Sequence, residues 1–103
     1  MKTTFREEDG KFIVTLEGRL DTTASEQTAK ELEVLNDCTG HDILIDCSRL
    51  EYISSSGLRI LLNIRKYAGA VGSKVIIKNM RDDIRKVFDM TGFSNIFISQ
   101  NDL

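Results

Sequence analysis

The sequence is poor in the side chains that most catalytic and metal sites use. It has one histidine, His41, and two cysteines, Cys38 and Cys47, neither of which has a partner at the spacing of a metal site. It also lacks the Gly-x-Ser-x-Gly motif of a nucleophile elbow and a glycine-rich loop that ends in Gly-Lys-Ser/Thr. We therefore expect no metal, no cofactor and no catalytic residue, which argues against an enzyme.

The charge balance argues against a nucleic-acid partner, and the short apolar runs argue against a membrane-spanning segment. The 14 Lys and Arg residues are balanced by 16 Asp and Glu residues. No basic stripe offers the several cations that nucleic-acid binding needs. The longest apolar runs have three or four residues, far short of the roughly 20 that cross a bilayer. Because the start of the chain also lacks the apolar region of a signal peptide, we expect a cytoplasmic protein with two reduced, structural thiols.

Proline is absent, and no linker, repeat or low-complexity stretch divides the 103 residues. The length therefore predicts one domain over residues 1–103. Residues 3–8 and 11–17 predict two strands around an Asp9-Gly10 hairpin turn, the first at a sheet edge. Further strands are predicted over residues 42–46, 75–77 and 96–98. Helices are predicted over residues 54–72 and 81–91 and from Thr23 to an end near residues 36–40.

This order of elements predicts an α/β fold: a mixed β-sheet of four or five strands with three or four helices packed on it. The apolar runs at 43–45 and 75–77 indicate parallel strands that are buried on both faces. Thr23 and Glu26 have the spacing of a capping box, which predicts the start of the first helix. Apolar residues at helical spacing predict the inward stripe of the second helix: Gly57, Leu61, Ile64, Ala68 and Val71.

The most informative stretch leaves a buried strand and enters a helix through Ser54, Ser55, Ser56 and Gly57. In an open α/β sheet this end of a strand is where ligands and partners dock. The start of a helix also favours an anion such as a phosphate. A purely structural explanation is favoured by periodicity and composition alone, since Ser54 suits an N-cap and Gly57 allows close packing of the helix on the sheet.

Asp21, Thr22 and Thr23 form a second polar segment. It either caps the first helix or hydrogen-bonds a partner or a ligand bound beside the serine turn. Arg59 is the cation close enough to the start of the second helix to meet a phosphate there. A catalytic triad would have to use His41, the sole imidazole, and nothing near the serines makes one of them nucleophilic.

In this order and spacing the segments resemble the STAS domain, the family of anti-sigma factor antagonists and related sulphate-transporter domains. The resemblance covers nearly the whole chain. The short length of the chain favours the stand-alone bacterial antagonist over a transporter domain. The matching segments are the opening hairpin and residues 18–22, 43–48, 52–59, 72–77 and 87–93.

The resemblance implies a phosphorylation site and a partner. In the family, an anti-sigma factor with kinase activity phosphorylates the serine two positions before the glycine, which here is Ser55. The family usually has aspartate just before that serine, whereas this chain has Ser54. Ser54 and Ser56 are therefore alternative sites. Asp21 matches the family's acidic position in the loop before the first helix, which contributes to partner binding.

We therefore expect an anti-sigma factor antagonist that regulates transcription by partner switching and is switched off by serine phosphorylation, with a phosphatase as a further partner. An alternative is a STAS subunit of a lipid-transport or signalling complex without phosphorylation. A third is a small enzyme or nucleotide-binding protein that uses the serine turn as a phosphate cradle. The expected partner-binding residues are Asp21, Thr22, Thr23, Ser54, Ser56, Gly57 and Arg59.

Overall fold

A computed structural model describes residues 1–92 and 98–100 of the chain. Its five strands are β1 (Lys2–Glu8), β2 (Lys11–Leu20), β3 (Asp42–Ile53), β4 (Val75–Lys78) and β5 (Ile98–Gln100). Its helices are α1 (Thr22–Glu31), which continues as a 3₁₀ turn over Leu32–Asn36, then α2 (Ser55–Ala70) and α3 (Asp82–Thr91). The predicted α/β fold with a mixed sheet is thus confirmed.

The five strands form one sheet in the order β1-β2-β3-β4-β5. β1 lies at an edge and pairs antiparallel with β2, whereas the other neighbouring strands are parallel. The turn between β1 and β2 is the predicted one, since Asp9 and Gly10 both have positive φ values, of 52° and 75°. Of the last predicted strand, residues 96 and 97 lie outside the described residues.

One apolar core lies between one face of the sheet and the helices. Its described members come from β2, β3 and β4 and from the three helical regions, among them Val14, Ile45, Leu61, Ile77 and Phe88. The neighbouring side chains on the strands alternate with these and are only partly buried, as Leu44 and Ile76 show. The prediction that these two strands are buried on both faces was therefore wrong, because the helices cover one face only.

Three further predictions about the elements need correction. β3 extends to Ile53 rather than ending near Asp46, because two irregularities in its pairing with β2 keep Leu50 and Ile53 on the buried face. The N-cap of α1 is Asp21 rather than Thr23, since the Asp21 carboxylate accepts the Ala24 N–H at 2.8 Å. Val71 follows the last residue of α2 and is 43% exposed, so it lies outside the inward stripe.

Candidate functional site

The candidate site lies where β2 and β3 end side by side and each strand leads into a helix. Leu20 and Ile53 are paired at the ends of the two strands. Asp21 caps α1 directly after Leu20, and Ser54 caps α2 directly after Ile53. Because the strands are parallel neighbours, the two helix starts lie at the same edge of the sheet. The structure therefore brings together the two polar segments that the sequence indicated separately.

Ser54 fixes this arrangement through both hydrogen-bonding capacities of its hydroxyl. The hydroxyl donates to the Leu20 carbonyl oxygen at 3.0 Å and accepts the Gly57 N–H at 3.1 Å. The Ser54 backbone N–H donates to the same Leu20 carbonyl at 2.9 Å. Ser54 is 8% exposed. Its hydroxyl is thus a buried structural link between the end of β2 and the start of α2, and the N-cap predicted for it is confirmed.

Gly57 allows the first turn of α2 to approach the sheet. A Cβ atom at this position would lie 2.7 Å from Leu20 Cγ and 2.9 Å from Ile53 Cγ1. Both distances are shorter than carbon atoms tolerate without displacement. The close helix–sheet packing that the sequence predicted for Gly57 is therefore present, and it sets the position of the serines before it.

Ser55 and Ser56 differ from Ser54 in exposure. Ser55 is exposed and Ser56 is partly buried. Unlike the Ser54 hydroxyl, neither of their hydroxyls is hydrogen-bonded within the part of the chain that the structure describes. The first turn of α2 holds no acidic side chain. The turn thus presents the Ser55 hydroxyl to solvent at the positive end of a helix dipole.

The remaining predicted site residues lie near the starts of α1 and α2. Thr22 and Thr23 are exposed on the first turn of α1, and Asp21 is partly buried because its carboxylate caps that helix. Arg59 is exposed and lies four residues after Ser55, on the same side of α2. The serine turn of α2 and the first turn of α1 thus lie at the same edge of the sheet, and Arg59 lies one turn further along α2.

His41 and the cysteines lie away from this surface. His41 immediately precedes β3, so the full length of that strand separates it from the serines. Its Nε2 lies 2.7 Å from a Glu7 carboxylate oxygen and its ring stacks on Phe12. Cys47 is buried in the core, which raises the pKa of its thiol to about 12. The described residues contain no group of three or more potential metal ligands, and none of their helices could span a membrane.

One pair of residues at this edge, Arg19 and Tyr52, is not indicated as a site by the sequence. The Arg19 guanidinium lies over the ring of Tyr52, with its central carbon 4.5 Å from the ring centroid. Both side chains are exposed. Each residue lies two positions before a predicted site residue, Asp21 or Ser54, and this short spacing could have indicated that both are near the site. Their contact with each other could not be predicted in this way, because it depends on how β2 and β3 pair.

This fold and site define a small α/β domain of the STAS type, and sequence comparison agrees. A sequence profile of the STAS domain matches residues 2–103. BtrV of Bordetella bronchiseptica, assigned as an anti-sigma factor antagonist, is 34% identical over 97 residues, which cover 94% of this chain and 84% of BtrV. The chain therefore belongs to the STAS domain family, in the group of the anti-sigma factor antagonists.

Solved structures show the same fold. The anti-sigma factor antagonist SpoIIAA in its unphosphorylated form has a TM-score of 0.75 at 22% identity, covering 99% of this chain and 89% of SpoIIAA. The phosphorylated form of SpoIIAA from Bacillus has a TM-score of 0.73 at 23% identity, covering 95% and 90%. A Thermotoga maritima protein assigned to the antagonists reaches 0.88 at 18% identity, covering 98% and 87%.

Proposed function

We propose that the unmodified chain binds an anti-sigma factor with kinase activity and so frees a sigma factor, and that phosphorylation of Ser55 by this partner ends the binding. The observation that carries the proposal is the contrast between two adjacent serines. Ser55 is exposed with a hydroxyl that no described residue engages, whereas the Ser54 hydroxyl is buried between Leu20 and Gly57. A kinase can reach the first hydroxyl without disturbing the fold.

The exposure of the three serines also ranks the alternative sites. Phosphorylation of Ser54 would require the cap of α2 to open and the Leu20 carbonyl to lose one of its two hydrogen bonds. Ser56 is only partly exposed. Phosphoryl transfer from ATP to Ser55 forms a bond between the hydroxyl oxygen and the γ-phosphorus, releases ADP and transfers the hydroxyl proton to a base of the partner. Ser55 is thus the favoured acceptor.

The electrostatics of the turn suit a switch that changes the surface and leaves the fold intact. Phosphoserine carries about −1.5 to −2 charges at pH 7, and the start of a helix stabilises negative charge. The added charge lies at the same edge as Asp21. A partner surface that fits closely around the unmodified hydroxyl would then meet a bulky, hydrated dianion, and binding would be lost through repulsion and desolvation.

Asp21, Thr22, Thr23, Ser56 and Arg59 form the surrounding contact surface in this proposal, and the buried residues Ser54 and Gly57 support it from beneath. The sigma factor acts on RNA polymerase, which places the complex in the cytoplasm. A phosphatase that removes the phosphate from Ser55 would restore binding. The protein in this scheme is the substrate of a kinase and catalyses nothing itself.

The test combines phosphorylation with binding. The chain is incubated with ATP and the kinase-type anti-sigma factor encoded nearest to it, and the phosphate is located by mass spectrometry. We expect modification of Ser55, loss of modification in Ser55→Ala, and retained modification in the matched variant Ser56→Ala. Ser55→Asp is expected to bind the partner at least about tenfold more weakly than the native chain.

Two results would contradict the proposal. One is a Ser55→Asp variant that binds as tightly as the native chain. The other is the absence of phosphoserine together with co-purification of an ATPase subunit, which would instead support a STAS subunit of a lipid-transport or signalling complex. Saturable binding of a nucleotide by the isolated chain, abolished in Gly57→Val, would support the phosphate-cradle alternative.

A further inference from the structure

The pairing of β2 with β3 is irregular just before the candidate site. Gly18 is paired with Leu50, and the next residue of β2, Arg19, is paired with Tyr52. Glu51 is therefore the extra residue of a β-bulge in β3. In a regular ladder Arg19 would face Glu51, a carboxylate of opposite charge. The bulge replaces this neighbour with an aromatic ring.

As a consequence, the charge of Arg19 is not neutralised by a neighbouring strand. Its guanidinium lies 4.5 Å from the centroid of the Tyr52 ring and has no ion pair with another described residue. Two residues earlier on β2, by contrast, Glu17 pairs with Arg49 of β3 at 3.3 Å. Tyr52 is 41% exposed. The pair is an exposed cation held against an exposed ring.

The Arg19–Tyr52 pair is continuous with the proposed partner-binding surface. Arg19 directly precedes Leu20, whose carbonyl oxygen accepts both hydrogen bonds from Ser54. Leu20 and Ile53 point into the core, so Arg19 and Tyr52, one position before each of them, lie on the face of the sheet that the helices leave open. A partner that covers Asp21 and Ser55 reaches this pair by extending over the edge of the sheet.

The chemistry of the pair specifies what it can receive. The Tyr52 ring under one face of the Arg19 guanidinium restricts the position of the guanidinium. The N–H groups at the edge of the guanidinium remain available, and their planar arrangement matches a carboxylate. Arg and Tyr are also among the residues that contribute most binding energy at protein interfaces. We infer that Arg19 and Tyr52 are part of the docking surface for the anti-sigma factor and that Arg19 receives an Asp or Glu side chain of that partner.

This inference rests on the proposed function and adds a rule for partner choice. The chain offers a negative group at Asp21 and a positive group at Arg19, two positions apart at the end of one strand. A partner that fits must place a basic group at the first and an acidic group at the second, which fixes its orientation. Phosphate on Ser55 then adds negative charge on the edge that the partner's carboxylate must approach.

The experiment measures the dissociation constant of the anti-sigma factor encoded nearest to this chain for a set of variants, by titration calorimetry. Arg19→Glu is expected to weaken binding at least about tenfold, and Tyr52→Ala about five- to tenfold, while Tyr52→Phe keeps the ring and binds nearly like the native chain. The matched control is Lys66→Glu, which makes the same charge change at an exposed position of α2. It is expected to bind within about twofold of native.

A partner variant with one acidic surface residue changed to Arg is expected to restore binding to Arg19→Glu, which identifies the carboxylate. The inference is overturned if Arg19→Glu and Tyr52→Ala bind the anti-sigma factor as tightly as the native chain does. That result would leave the proposed function standing. It is also overturned if Lys66→Glu weakens binding as much as Arg19→Glu. If the native chain itself does not bind, the proposed function fails together with the inference.

Discussion

The Ser54 hydroxyl donates a hydrogen bond of 3.0 Å to the Leu20 carbonyl oxygen and thereby joins the start of α2 to the end of β2. The two residues are 34 positions apart in the sequence. The same hydroxyl caps α2 through the Gly57 N–H. The bond links the starts of the two helices, so the position of Ser55 relative to Asp21 depends on the buried hydroxyl of its neighbour Ser54.

Ser54→Ala is expected to destabilise the protein by about 1–2 kcal/mol, because it removes the cap of α2 and the hydrogen bond to Leu20. The measurement is the free energy of unfolding from urea titration. The matched control is Ser55→Ala, which removes an exposed hydroxyl and is expected to change stability by less than about 0.5 kcal/mol. Equal effects of the two variants would contradict the structural role of Ser54.

Gly57→Ala is expected to destabilise the protein by about 1–3 kcal/mol, although alanine favours helices by about 1 kcal/mol over glycine. The reason is the 2.7 Å approach of the new methyl group to Leu20 Cγ. The control lies in the same helix: at Gly69 the nearest atom to a new Cβ is 3.7 Å away. Gly69→Ala should therefore stabilise the protein by about 0.5–1 kcal/mol, and chemical denaturation of both variants tests the contrast.

The stability of the β1–β2 hairpin region should depend on pH through His41. The hydrogen bond that the protonated His41 ring donates to the Glu7 carboxylate is the largest cause that raises the pKa of His41 above 6.5. The hydrogen bond to the Thr39 carbonyl and then the charges of Glu7 and Asp37 also raise this pKa. Because the folded pKa lies above the unfolded value, the stabilisation is complete below pH 6.5 and is lost as pH rises through the folded pKa.

Since His41 is the sole histidine, its imidazole resonances give the folded pKa directly in an NMR titration. Glu7→Gln removes the carboxylate, so the midpoint is expected to move down towards 6.5. The free energy of unfolding, measured by urea titration, should therefore fall less between pH 6.5 and higher pH in Glu7→Gln than in the native chain. A native midpoint at or below 6.5 would show that the pair with Glu7 does not form.

The thiol of Cys47 should resist alkylation in the folded protein. Burial, and to a smaller extent the charge of Asp46, raises its pKa to about 12, so about one molecule in 10⁴ carries a thiolate at pH 8. We expect slow reaction with iodoacetamide that becomes fast in urea. The matched control is Ser48→Cys, which places a thiol at the exposed neighbouring position and should react quickly in the folded state. Rapid native labelling of Cys47 would contradict its burial.

Arg59 should pair with a phosphate on Ser55, because residues four apart are neighbours on a helix surface. Phosphoserine introduced at position 55 by an expanded genetic code allows a ³¹P NMR titration without any kinase. We expect Arg59→Gln to raise the second pKa of the phosphate by about 0.2–0.4, which corresponds to about 0.2–0.5 kcal/mol. Lys66→Gln, further along α2, should leave that pKa unchanged. Equal titration of all three proteins would exclude the pair.

Much of the fold could be predicted because its signals are local. The Asp9-Gly10 turn needs positive φ at both positions, which few other residue pairs tolerate. The stripe of Leu61, Ile64 and Ala68 has the period of a helix. The predictions that failed required non-local information: β3 runs to Ile53 because its pairing with β2 keeps Leu50 in the core, and Leu44 is partly exposed because no helix covers that face.

Some features of the candidate site follow from local sequence, and others depend on tertiary structure. The sequence by itself determined that a serine-rich turn opens the longest helix, that Ser54 is a good cap and that the chain has few groups for catalysis, since these follow from residue types and short spacings. Only the tertiary structure decided which serine hydroxyl is exposed, because the acceptor for Ser54 is Leu20 on another strand. It also decided that Arg19 faces Tyr52 rather than Glu51, because a one-residue bulge changes every cross-strand neighbour after it.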